Sequence, residues 1–169
     1  GAVAVGTLRS LGSQKPRPSN MLRALNGFLG ERLIEGRFMT LCFATWNRQR
    51  RRLRVANAGQ EQPLLYHGGR CEKIPLTGFP LGIFEEATYD ERTIILDPGD
   101  IVVFYSDGIG DAQNRAGEFF GTARVAKMVV ENPGLAADGL ADRILVEADH
   151  FSGGQHPSDD RTLVVLKVQ

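Results

Sequence analysis

Ile101-Val102-Val103-Phe104-Tyr105-Ser106-Asp107-Gly108 is the stretch on which the reading of this chain turns. Its first five residues are apolar or aromatic and strand-prone, and Ser-Asp-Gly closes the run. Gly108 lets the backbone turn sharply, so the spacing predicts that the Asp107 carboxylate emerges at the end of a strand, a good position for a ligand. Immediately upstream, Thr88–Leu96 and the turn Asp97-Pro98-Gly99-Asp100 make a hairpin with Ile101–Ser106 the expected reading. Pro63–His67 and Arg70–Ile74, joined by Gly68-Gly69, repeat the pattern. So do Phe38–Trp46 and Leu53–Ala58 around the polar turn Asn47–Arg51. The middle of the chain therefore reads as an antiparallel meander.

Helices bracket this β-rich centre. Met21, Leu22, Leu25, Phe28, Leu29 and Leu33 recur at helical spacing behind Ser19, a candidate N-cap, and predict a helix ending near Gly36. Thr122–Glu131 and Leu135–Asp149, separated by Asn132-Pro133-Gly134, predict two more before a polar loop and a final strand, Thr162–Val168. Strands and helices are segregated rather than alternating, which favours an α+β fold.

The chain has 169 residues, 42% of them hydrophobic, enough for one domain of ordinary size. Twenty basic residues face twenty acidic ones, so there is no net positive field to attract nucleic acid. The apolar runs are far shorter than the roughly 20 residues of a membrane-spanning helix, so no membrane span is expected. Cys42 and Cys71 have no CxxC spacing, which argues against a disulfide framework and a zinc site; a reduced, cytoplasmic setting is the expectation. The chain opens at Gly1 without an initiator Met or a signal-peptide pattern, and reads as part of a longer protein.

Asp159-Asp160 precedes the last predicted strand much as Asp107 follows the apolar one. Carboxylates delivered from the ends of two strands in one sheet can meet at one edge and hold a hard divalent cation through oxygen. The competing reading is that such aspartates only hydrogen-bond the backbone of their own turns.

A series of motifs goes further. Val55-Ala56-Asn57-Ala58-Gly59, Pro63-Leu64-Leu65, Gly78-Phe79-Pro80-Leu81-Gly82, Leu96-Asp97-Pro98-Gly99-Asp100, Tyr105-Ser106-Asp107-Gly108, Glu118-Phe119-Phe120-Gly121 and Ser158–Val165 occur in this order. In order and spacing the series resembles the bacterial phosphatases of the stage II sporulation protein E type, within the metal-dependent (PPM, type 2C) protein serine/threonine phosphatases. The resemblance runs from about Leu8 to Val168. It implies two antiparallel sheets sandwiched between antiparallel helix pairs, in α-β-β-α layers, over residues 1–169 as a single domain, N-terminally truncated and missing its N-terminal strands, the C-terminal part of a longer regulatory protein.

It also implies Mn²⁺ or Mg²⁺ at one sheet edge, and a metal-activated water that attacks a phosphoserine or phosphothreonine. Carried over by position, Asp107 and Asp159 match metal ligands, Asp160 is the neighbouring acid, and Gly108 supports the turn. His156 is close enough in sequence to Asp159 to touch bound phosphate. The implied substrate is a phosphorylated anti-anti-sigma-factor type of regulatory protein. The family's first Asp-Gly motif, upstream of the first long helix, has no counterpart here. Of the two metals of the complete site, one or none is therefore expected, and an exposed sheet edge near the N-terminus, open to homodimer pairing, is expected with it. Gln60 stands where the family usually has His, and Gly110-Asp111 where Thr-Glu is common.

Two rival functions use the same residues: a non-catalytic phosphoprotein-binding or dimerisation module, and a hydrolase of small phosphate esters. Outside the motifs, Arg48, Arg50, Arg51, Arg52 and Arg54 crowd one hairpin, as either a docking patch for an acidic or phosphorylated partner or a solvated turn. His67 and His150 show no metal-ligand spacing and read as surface residues. The first helix reads as core, with a switch role for Ser19–Gly36 as the functional alternative.

Overall fold

A computed structural model describes residues 17–30, 38–154 and 159–169. The elements in chain order are α1 (Pro18–Gly30), β1 (Leu41–Asn47), β2 (Arg52–Ala58), β3 (Leu64–His67), β4 (Arg70–Lys73), β5 (Glu91–Ile95), β6 (Ile101–Tyr105), α2 (Asp107–Gly110), α3 (Gly121–Glu131), α4 (Ala137–Ser152) and β7 (Leu163–Lys167). They fall into two compact units, one ending at Gln62 and resuming over Pro75–Leu96, the other comprising Pro63–Ile74 and Asp97–Gln169. Each unit carries one antiparallel sheet, as an α+β reading requires.

The first unit holds the sheet β1-β2-β5. Its register pairs Leu41 with Ala58 and Phe43 with Ala56, and alternation puts all four side chains on one face. Leu22 of α1 is buried with them, together with Leu81, Ala87 and Tyr89. Asn26, 1% exposed, ties the helix to a loop: its amide donates to the carbonyls of Phe84 (2.8 Å) and Glu85 (3.1 Å), and its oxygen accepts the Gly82 N–H (2.8 Å).

At the other end of α1, the Ser19 N–H and hydroxyl both donate to Glu91, at 3.1 and 2.9 Å, and Arg17 Nε donates at 3.2 Å. Burial alone would raise the Glu91 carboxyl, but these donors outweigh it and hold the group below its ordinary value. Ser19 is thus not the N-cap. The helix starts a residue earlier at Pro18, whose missing N–H suits a first turn, and the Ser19 hydroxyl is spent on β5 instead. The part of this helix expected beyond Gly30, to Gly36, lies outside the described residues.

The second unit holds the sheet β4-β3-β6-β7. β6 is central, paired with β3 through Leu65↔Val102 and with β7 through Val103↔Val165, and all five of its residues are buried. Ile101, Val103 and Tyr105 share a core with Val125 and Val129 of α3 and Leu140, Ile144 and Ala148 of α4.

The hairpins β1–β2 and β3–β4 form as expected, but β5 and β6 do not pair with each other, so the centre is not one meander. The turn between them closes on itself, Asp100 N–H to Asp97 oxygen at 3.0 Å. Gly99 N–H and Val168 N–H then bond across to Val168 and Asp100 carbonyls, both at 2.9 Å, which aligns β6 with the C-terminal strand. Among the described residues, no helix is long and apolar enough to cross a membrane.

Candidate functional site

β6 ends at Tyr105, and Ser106, extended at φ −86° and ψ 160°, leads into the short helix α2, which opens with Asp107. Asp107 is half-buried, and its Oδ1 accepts the Gly108 N–H at 2.9 Å. Asp159 and Asp160 are exposed just before β7. The Asp160 N–H donates to Asp159 Oδ1 at 2.7 Å and holds that carboxyl below its ordinary value.

The two segments meet at Gly108. A Cβ there would stand 2.5 Å from the Asp160 carbonyl oxygen and 3.1 Å from that of Asp159, so only glycine allows the approach. Ser106 stitches the same junction. Its buried hydroxyl donates to the Asp160 carbonyl (3.0 Å) and accepts the Thr162 N–H (2.9 Å), while its own N–H donates to the Thr162 carbonyl (3.0 Å). Arg161 adds a third tie, its Nε donating to the Gly108 carbonyl at 3.1 Å and its Nη1 pairing with Asp149 of α4. Ser106 and Arg161 stand inside two of the sequence motifs, Tyr105–Gly108 and Ser158–Val165, but nothing in the sequence assigned either a role.

Asp107 and Asp159 are hard oxygen donors of the kind Mn²⁺ and Mg²⁺ prefer, and Asp107 Oδ2 has no hydrogen-bond partner among the described residues. The donor chemistry at this junction fits such an ion. His156 lies outside the described residues. Cys42 and Cys71 are free thiols. Burial pushes Cys42 up to about 12, and burial with the Glu72 charge pushes Cys71 up to about 11, so neither offers a thiolate nucleophile at neutral pH.

Sequence reasoning missed a second cluster. Among the described residues, His67, Asp97 and Asp100 bring one ligand atom each within 4.8 Å of one another. The cluster lies at the other end of β6, a five-residue strand spanning roughly 17 Å. Both Asp100 oxygens are engaged, Oδ1 with His67 Nδ1 and Oδ2 with the Asp97 N–H, each at 2.8 Å. The hydrogen bond to Asp100 also raises the His67 pKa. No comparable group of three ligating side chains forms at the Gly108 junction among the described residues.

The fold is that of the PP2C phosphatase domains. The phosphatase domain of the cell-fate determinant SpoIIE from Bacillus subtilis matches 98% of this chain and 75% of its own, with a TM-score of 0.66 at 21% identity. The RsbU and RsbW domains of Rv1364c from Mycobacterium tuberculosis match 88% of this chain and 41% of theirs, with a TM-score of 0.69 at 24% identity. The chain belongs to the Stage II sporulation protein E (SpoIIE) family, whose model matches residues 2–169. It is also similar to the phosphoserine phosphatase RsbU of Bacillus subtilis (strain 168), 26% identical over 156 residues, covering 89% of this chain. The chain spans 45% of the length of RsbU.

Proposed function

We propose that this chain acts as a single phosphatase domain that removes phosphate from serine or threonine of a regulatory protein of the anti-anti-sigma-factor type. The observation that carries the reading is the close approach of Gly108 to the backbone of Asp159 and Asp160, joined to membership of the SpoIIE family. In this reading Asp107 and Asp159 hold Mn²⁺ or Mg²⁺, with Asp160 beside them. The ion, when bound, supplies positive charge for the phosphoryl oxygens and acidifies water. Gly108 lets the two carboxylate-bearing segments approach, while Ser106 and Arg161 fix their spacing. His156 contacts the phosphate of the substrate. A second copy pairing along β1, which has β2 as its strand neighbour among the described residues, is the dimer this reading includes.

Calorimetric titration of Mn²⁺ into the chain and into Asp107→Asn tests the site directly. The expected result is binding weakened about tenfold or more by the substitution, since one charged oxygen ligand is lost. Mn²⁺-dependent phosphate release from a phosphoserine protein, set against release from a small aryl phosphate, tests the substrate class. Equal Mn²⁺ affinity in Asp107→Asn would remove the assignment, and turnover of the small ester alone would favour a general phosphate-ester hydrolase.

A further inference from the structure

The arginines of the β1–β2 hairpin take no part in the site above. Register orders them: Arg52 sits between Asn47 on β1 and Ile95 on β5, and Arg54 between Thr45 and Thr93. Because side chains alternate, these two cross-strand rows share one face of the sheet. Arg48 and Arg50 extend the positive charge to the exposed hairpin tip. Next to Arg52 the Ile95 side chain is 60% exposed, so the row is open on that side.

None of Arg48, Arg50, Arg52 and Arg54 forms an ion pair among the described residues. The Arg54 Nε is buried and has no hydrogen-bond partner among the described residues. A buried donor without an acceptor is unfavourable by more than a made hydrogen bond returns. The chain has no net charge, so nothing draws a long polyanion from a distance. Recognition here is local, and guanidinium forks match planar carboxylates two bonds at a time. Arg52 and Arg54 lie roughly 7 Å apart along the strand, the spacing of alternate side chains in any extended peptide.

We propose that this hairpin binds an extended acidic segment of a partner protein, with carboxylates at alternate positions meeting Arg52 and Arg54 beside the polar side chains of Thr45, Thr93 and Asn47. The proposal stands independently of the phosphatase reading.

Fluorescence anisotropy with a labelled peptide of alternating Glu and Ser tests it. The Glu peptide is expected to bind in a salt-sensitive manner, and its Gln counterpart to be ignored. Arg52→Gln with Arg54→Gln is expected to weaken binding about tenfold or more. Arg48→Gln with Arg50→Gln, at an exposed tip where packing is not disturbed, is expected to weaken it severalfold, and Arg70→Gln on the other sheet to leave it unchanged. Circular dichroism and thermal melting verify that each variant folds. Failure of the Glu peptide to bind, equal binding of the Gln peptide, unchanged affinity in the tip variant, or preference for single-stranded DNA or phosphatidylserine vesicles would each overturn the proposal.

Discussion

Gly108 and Asp160 meet backbone to backbone, with room for a hydrogen but not for a methyl group: a Cβ on Gly108 would lie 2.5 Å from the Asp160 carbonyl oxygen. The contact is between main chains, so no side-chain rotation can relieve it.

Gly108→Ala should therefore force the ends of β6 and β7 apart. The expected cost is about 1–3 kcal/mol, the range for overpacking a close-packed site. Urea unfolding reads the loss, and Mn²⁺ titration of the folded variant should show weaker binding because the two carboxylate-bearing segments have separated. Unchanged stability would mean that the junction is looser than its backbone contact implies.

Ser106→Ala removes one oxygen but strands two backbone groups, the Asp160 carbonyl and the Thr162 N–H. Ser106 is fully buried, so solvent cannot replace the hydroxyl. Leaving such groups unsatisfied costs about 1–3 kcal/mol. A midpoint in denaturant equal to that of the parent would show that the hydroxyl is dispensable.

The His67–Asp100 pair gives a pH dependence with a definite sign. The hydrogen bond and the charge of Asp100 raise His67 above its ordinary 6.5. A raised histidine adds stability that is fully present below the unfolded pKa and lost as pH rises through the folded one. His67 is 62% exposed, so the effect is small and weakens with salt. NMR titration should find the His67 pKa above 6.5 in the parent and back near that value in Asp100→Asn; no difference between the two would show that the pair does not form in solution.

How much of this was legible beforehand follows from the range of each interaction. The β6 strand and the emergence of Asp107 were readable because an apolar run stopped by Ser-Asp-Gly is a local pattern. The pairing of β6 was not. Asp97-Pro98-Gly99-Asp100 has the chemistry of a turn whether its flanking strands pair or join different sheets, and the choice is made by Val168, far off in sequence. Ser19 had the chemistry of an N-cap, but its acceptor lies 72 residues away on β5. The ties of Ser106 to Asp160 and of His67 to Asp100 join residues 54 and 33 positions apart, beyond any motif or period. For the site, the strand ends that carry Asp107 and Asp159 were legible, whereas the side chains that brace them were not.

Glu91 reverses the sign of the His67 prediction. Its carboxyl is held below the ordinary 4.5, so its contribution is present above the unfolded pKa and disappears as pH falls through the folded one. The first unit should lose α1 packing on acidification before the second unit unfolds. Glu91→Gln, which keeps the shape but not the charge, should flatten this acid limb in tryptophan fluorescence, since Trp46 lies on β1 of the same unit. An unaltered limb would place the acid-sensitive group elsewhere.

Asn26 has a kinetic consequence. One buried amide holds the carbonyls of Phe84 and Glu85 and the N–H of Gly82, so the loop and the middle of α1 cannot open separately without stranding polar groups. The two segments, more than fifty positions apart, should behave as a single cooperative opening unit in amide hydrogen exchange, with the Gly82 proton escaping at the rate of the helix rather than at that of a surface loop.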